Sequence, residues 1–334
     1  MTEWNKDLEK RILKKSRFTL TFRILRIMLL VLLIYSGYKV SMNFVADKLN
    51  IANENAYYSK LAIEWTVPNV RADFNFEEEE MTLLGTKKLS YNLIKKVGNN
   101  DKVIGKAFVT KRLTNPSTIS FSQPGQKQLN EFSFSLPIDP RTGKKLEGNT
   151  WPNVWETLTM LPEGTVGEMA FSTTSFMEAK QLIELLENYD LHVLWMPLYT
   201  GEFVNYEPGW TSSGNKLLMV PHFGLSGGND RNENFHEQSI ITRLTQESLS
   251  ESEQLMLKNM EELLSKSPSY YEQFLRLGYL PQKYQYLKEN GFTVYGAVVT
   301  GPVKELLKLQ DVSYIQGEQL GEVELWNWQS KNNE

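Results

Sequence analysis

Uninterrupted apolar character occurs most strongly at Ile27–Tyr38 (IMLLVLLIYSGY). Twelve helical residues cover about 18 Å, short of the roughly 30 Å of hydrocarbon in a bilayer. A membrane span must therefore recruit its flanks, and the pattern predicts one over residues 23–46. Arg26 and Lys39 then carry their charges towards opposite interfaces, and Tyr35 and Tyr38 lie in an interfacial aromatic belt. A cleaved signal peptide would need small residues before the cut, and Phe44 ahead of Ala46 is a poor fit.

Beyond the span the pattern changes to alternation. LAIEWTV (61–67), ADFNF (72–76), KLSYNLI (88–94), VIGKAFVTKRL (103–113), TISFS (118–122) and EFSFSL (131–136) each read as strands, with a hairpin loop at 97–101. They predict a β-rich layer with one solvated face, followed by a linker at 137–148. After Trp151 the pattern is mixed. VGEMAFS (166–172), the helix FMEAKQLIELLENY (176–189) capped by Thr174 or Ser175, and LHVLWMPLY (191–199) form one β-α-β unit. FTVYGAVVT (292–300), PVKELLKL (302–309) and VSYIQG (312–317) repeat that order. Between them lie a glycine-rich stretch (209–234) and helices near 246–266, 268–278 and 281–290. The expected fold is α+β: a single N-terminal transmembrane helix, a β-rich membrane-proximal layer, then a ferredoxin-like split β-α-β domain with a helical insertion. The expected division is a basic tail at 1–22, the span at 23–46, and outer portions at 47–148 and 149–334.

Charge orients this arrangement. The first 26 residues hold eight basic and three acidic side chains, a net +5, within a chain of net −4, so the remainder carries −9. Basic residues before the span predict a cytoplasmic N-terminus, a single pass through the cell membrane, and an extracytoplasmic bulk. An acidic bulk speaks against nucleic acid as a partner. The absence of cysteine excludes disulfides, thiolate catalysis and Cys-containing zinc sites.

Chemical motifs are few. Gly224-Leu225-Ser226-Gly227-Gly228 spells G-x-S-x-G after the apolar KLLMV, as a serine hydrolase would require, but Asn229–Asn234 read as a solvated loop where a buried helix should follow. Ser213-Gly214-Asn215-Lys216 spells S-x-x-K without the companion motifs. His192, His222 and His236 lack metal-ligand spacing, and His192 reads as a partly exposed packing residue. Glu77–Glu80 lacks the alternation of a calcium loop. Trp326 and Trp328 offer a conceivable glycan surface. No catalytic, metal or cofactor site is expected.

WETLTMLPEGTVGEMAFSTTSF (155–176), ELLENYDLHVLWMPLYTGE (184–202) and VYGAVVTGPVKELLKL (294–309) resemble the C-terminal domain of sigma factor regulators, membrane-bound anti-sigma factors of Gram-positive bacteria. RILKKSRFTLTFRILRIMLLVLLIYSGYKVSMNFV (11–45) is similar to that family's N-terminal domain. The resemblance implies a negative regulator of an extracytoplasmic-function sigma factor that couples envelope state to transcription. The sigma factor would be held by the tail, and a second small membrane protein is a further implied partner beside the lipid bilayer. The tail departs from a zinc-containing anti-sigma domain, having neither cysteine nor histidine. It instead predicts one amphipathic helix, with Trp4, Leu8, Ile12 and Leu13 among basic residues and Trp4, Leu8, Arg11, Ile12 and Lys15 as partner contacts. Such a helix would alternatively lie on anionic lipid. The competing function is a non-catalytic extracytoplasmic cell-envelope sensor module acting through another membrane subunit.

Overall fold

The computed structural model describes residues 6–48, 51–73, 75–78, 82, 86–112, 118–122, 132–214 and 216–329. Helix α1 (Lys6–Lys48) runs unbroken through both the basic start and the apolar run. It is exposed along its described side chains apart from a half-buried Lys39. No proline interrupts it, and Leu, Ile, Lys and Arg all favour the helical state.

After residues 49 and 50 comes helix α2 (Ile51–Thr66), which overturns the strand expected at 61–67. The alternation in LAIEWTV is real but subordinate. Tyr57, Leu61 and Trp65 recur every four residues, as do Tyr58 and Ala62, and all five are buried. A helix packed on several sides buries both rows, whereas a strand would bury only one.

Strands β1 (Val70–Ala72), β2 (Glu77–Glu78), β3 (Thr86–Val97), β4 (Asn100–Arg112) and β5 (Thr118–Ser122) form an antiparallel sheet of order β1-β3-β4-β5, with β2 also paired to β3. The expected 97–101 loop tightens to a two-residue hairpin turn: Val97 pairs with Asn100, and Gly98 takes φ +63°. The strand at 72–76 ends at Ala72. Phe132–Leu136 is extended but has no ladder of its own. Its backbone is satisfied piecemeal, Leu136 N donating to Leu218 O (2.8 Å) and Ser135 N to Ser172 Oγ (3.1 Å).

The second half contains α3 (Val154–Met160), β6 (Thr165–Glu178), α4 (Ala179–Leu186), β7 (His192–Pro197), the pair β8 (Ser212–Gly214) and β9 (Leu217–Met219), β10 (Gly224–Leu225), and the hairpin β11 (Gly228–Arg231) and β12 (Glu237–Ile241). Then come α5 (Gln246–Leu264), a π-helical turn at Ser269–Phe274, α6 (Leu280–Asn290), β13 (Thr293–Pro302), α7 (Val303–Leu307) with a 3₁₀ turn to Asp311, and β14 (Ile315–Leu325). The main sheet has the order β10-β7-β13-β6-β14, antiparallel throughout. The cap expected at Thr174 or Ser175 does not form. β6 keeps pairing with β13 as far as Glu178 opposite Thr293, so α4 starts only at Ala179. Thr245 does cap α5, in a reciprocal box with Ser248.

Hydrophobic packing crosses the expected 148/149 border. One buried cluster joins Tyr57, Leu61, Tyr91 and Leu93 to Phe171, Leu182, Val299 and Leu306. On the other face of the main sheet, Ala170, Trp195 and Val298 meet Phe134, Leu136 and Leu218. A buried ion pair, Lys95 Nζ to Glu168 Oε2 at 2.8 Å, ties β3 to β6, and Asn69 donates to the other carboxylate oxygen at 2.6 Å. Burial raises the Glu168 pKa, and the Lys95 charge and the hydrogen bonds oppose that rise.

His222 packs edge-on against Phe134, with ring centroids 5.5 Å apart, and burial pushes its pKa down from 6.5 to about 4. A folded-state value below the unfolded one means that the neutral ring contributes stability above about pH 6.5, and that this stability is lost as the pH falls towards about 4. Unfolding temperatures measured across that window should fall more steeply for the wild-type chain than for His222→Asn; parallel curves would refute this assignment.

Candidate functional site

Leu8, Arg11, Ile12 and Lys15 stand on α1 and are all exposed. At about 100° per residue they fall within one arc of roughly 100°, with Leu8 and Ile12 stacked one turn apart. Leu13 lies about 140° from Leu8 and leaves the expected stripe. Trp4 lies outside the described residues. Further along, Thr19 and Thr21 return their hydroxyl protons to the carbonyls of Lys15 and Arg17, at 2.8 Å each. Phe18 and Phe22 pack ring to ring at 5.2 Å. The face therefore presents two apolar side chains flanked by two cations, a form suited to an acidic, grooved protein surface.

What this helix is attached to gives it its mechanical context. α2 is gripped by residues distant in sequence. The Asn229 side chain donates to Glu64 Oε2 (2.8 Å), and Trp195 Nε1 donates to the Glu64 carbonyl (2.9 Å). The Tyr57 hydroxyl donates to Asn259 Oδ1 (2.7 Å), and the Tyr270 hydroxyl to Asn55 Oδ1 (2.9 Å). Tyr58 and Arg231 share Glu262 Oε2, at 3.1 and 2.6 Å. Lys60 and Glu237 form a buried pair at 3.3 Å. Burial lowers the Lys60 pKa against the opposing pull of Glu237, and burial raises that of Glu237. Lys266 pairs with Glu54. These contacts fix α2 within the fold.

The decoys resolve individually. Ser226 lies between β10 and β11, buried, and its carbonyl accepts from Arg71. The segment expected as a solvated loop at 229–234 begins instead with β11, and Asn229 is buried because Glu64 supplies its acceptor. Ser213 and Gly214 lie in β8, and Asn215 falls outside the described residues. His192 is buried rather than partly exposed, stacked on Trp328 at 4.3 Å. Trp328 also donates to Asp190 (2.9 Å) while Trp326 faces solvent, so the two tryptophans share no surface. Among the described residues, no three His, Cys, Asp or Glu side chains converge as a metal site. Glu77 lies in β2 and pairs with Lys106 at 2.7 Å, while Glu79 and Glu80 lie outside the described residues.

Helix α2 was the element at this site that sequence reasoning missed. The four-residue recurrence of Tyr57, Leu61 and Trp65, directly after the span, was the signal that could have found it.

Comparison with known proteins gives three results. Residues 158–322 match the family model described as "Sigma factor regulator C-terminal", and residues 10–102 match "Sigma factor regulator N-terminal". The chain is 24% identical over 289 residues to the "Probable anti-sigma-M factor YhdL" of Bacillus subtilis (strain 168), covering 85% of this chain and 73% of that protein. No solved structure matches it.

Glu64→Ala should strand the buried Asn229 amide and destabilise the fold by about 1–3 kcal/mol. Lys180→Ala, at an exposed i,i+4 pair with Glu184, should cost less than about 0.5 kcal/mol. Denaturant unfolding of the full chain in nanodiscs, followed by tryptophan fluorescence, checks both.

Proposed function

We propose a working scheme for this chain, which belongs to the sigma factor regulator family and acts as a membrane anti-sigma factor. The start of α1 holds a sigma factor of the extracytoplasmic-function class on the cytoplasmic side. The outer body, facing the envelope, biases that hold. The observation carrying this reading is that the N-terminal family match takes in most of the one long apolar helix among the described residues, and the C-terminal match follows it in the same chain. Orientation rests on the eight basic residues among the first 26, six of them ahead of the span.

In this scheme Leu8 and Ile12 enter a groove on the sigma factor, Arg11 and Lys15 meet carboxylates at its rim, and Trp4 extends the same face towards the N-terminus. The exposed sides of α1 within the bilayer leave room for a second small membrane protein. The outer portions at 47–148 and 149–334 work as one mechanical unit, a reading supported by their shared core and by the Lys95–Glu168 pair. We further read β6-α4-β7 and β13-α7-β14 as a ferredoxin-like split β-α-β arrangement. The strand order β7-β13-β6-β14 supports it. Signal passes by the shortest route in sequence: only two residues separate α1 from α2, so a displacement of α2 in the outer body has that short distance to travel to the membrane helix.

Co-purification with sigma factors tests the scheme. Leu8→Glu with Ile12→Glu should weaken retention at least about tenfold, while Leu13→Glu, off the face, should leave it intact. Retention unaffected by deleting residues 6–17 would overturn the tail's role and favour an outer sensor module acting through another subunit.

A further inference from the structure

A cavity of about 740 Å³ opens where the end of α2 meets the 202–210 loop, the 219–222 segment and the turn leading into α6. Its size is that of a pocket for a small organic ligand. Nothing in the regulatory scheme above uses it. Its apolar wall comes from Val67, Phe132, Met219, Pro221 and Leu277, with Trp210 half-exposed at the rim. Tyr206 and Tyr279 stack at 4.7 Å to form a flat side.

The charged groups in this wall are unevenly satisfied. Glu202 is buried and saturated: it accepts from the Thr200 amide (2.8 Å), the Thr200 hydroxyl (2.8 Å) and the Tyr206 hydroxyl (3.0 Å). His222 is held neutral at pH 7 by burial. Lys283, in the first turns of α6, keeps only 7% of its surface exposed, yet among the described residues it has no hydrogen-bond partner and no carboxylate within 4.0 Å. Its ammonium lies 4.4 Å from the Phe223 ring centre, a cation–π contact and no ion pair. Arg276, also on the wall and exposed, adds a second cation. Glu202 attracts this ammonium from beyond ion-pair distance, but its oxygens are taken by Thr200 and Tyr206, so a buried ammonium beside an open cavity leaves a place for a closer counter-ion.

We infer that this cavity is a binding site for a small monoanion with an apolar body, of the aryl- or alkyl-carboxylate class, whose carboxylate meets Lys283 while its body lies against Phe132, Met219 and the Tyr206–Tyr279 stack. Two cations against one committed carboxylate leave the site positive, so neutral and cationic analogues of the same shape are disfavoured. The site stands independently of the sigma factor contact, because none of its lining comes from α1.

The test is a ¹⁹F NMR titration of the full chain in zwitterionic nanodiscs with 3-(4-trifluoromethylphenyl)propionate and its primary amide. Empty nanodiscs correct for partition into lipid. The acid should bind at submillimolar concentration and at least about tenfold tighter than the amide. Lys283→Met should abolish that gap by weakening the acid alone, without lowering the unfolding temperature, since it removes an unpaired buried charge. Equal affinity for acid and amide on the wild-type chain, or no saturable binding below about 5 mM, would overturn the site without recourse to any variant. An acid affinity unchanged by Lys283→Met would overturn the assignment of the lysine.

Discussion

The architecture depends on the burial of α2. A helix that directly follows a membrane span would ordinarily sit on the outside of whatever folds above it. Here it lies inside, with Tyr57, Tyr58, Leu61 and Trp65 almost wholly removed from solvent. Its most deeply buried carboxylate, Glu64, is matched to the Asn229 amide. Because an unmatched carboxylate in that position would be strongly unfavourable, the glycine-rich strand pair carrying Asn229 must close over α2. The β11–β12 hairpin, the α5 face bearing Asn259, and the β3–β4 sheet bearing Tyr91 all take their places around that helix.

How much of this was legible in the sequence follows from how many constraints act on each segment. β3 and β4 were readable because one face is wet and the alternation is therefore clean. β6, β7 and β13 were readable because buried runs of β-branched and aromatic residues are distinctive, whereas β14, expected at 312–317, runs over Ile315–Leu325 because a half-buried strand of Gln, Gly and Glu gives little signal of its own. α2 was not, because full burial erases the polar face that marks a helix, and the alternating Leu61–Val67 then imitates a strand. The 229–234 loop failed for the opposite reason. Asn229 looks solvated in isolation, and only a partner 165 positions away makes it a core residue. Local sequence carries no trace of such long-range satisfaction.

The candidate functional face on α1 was legible as a pattern, since charge and helical periodicity are local properties. Its continuity with the span was less so: the basic start and the apolar run differ in composition but not in backbone preference, and one helix carries both. The cavity near Lys283 was invisible in the sequence. Its wall gathers residues from 66 to 283, and a lysine among ordinary helix formers gives no sign of being buried.

The long reach of the α2 contacts bears on how the chain matures. α2 leaves the ribosome and the bilayer early, yet the groups that grip it come 131 to 215 residues later, at Trp195, Asn229, Asn259 and Tyr270. Contacts of such high sequence separation form late and slowly. The body that follows the membrane helix can therefore close only when its C-terminal half has been made, and until then the chain leaves an aromatic helix uncovered. Completion of the chain and burial of α2 are thus the same event, and a chain cut short would keep its apolar helix but never ripen.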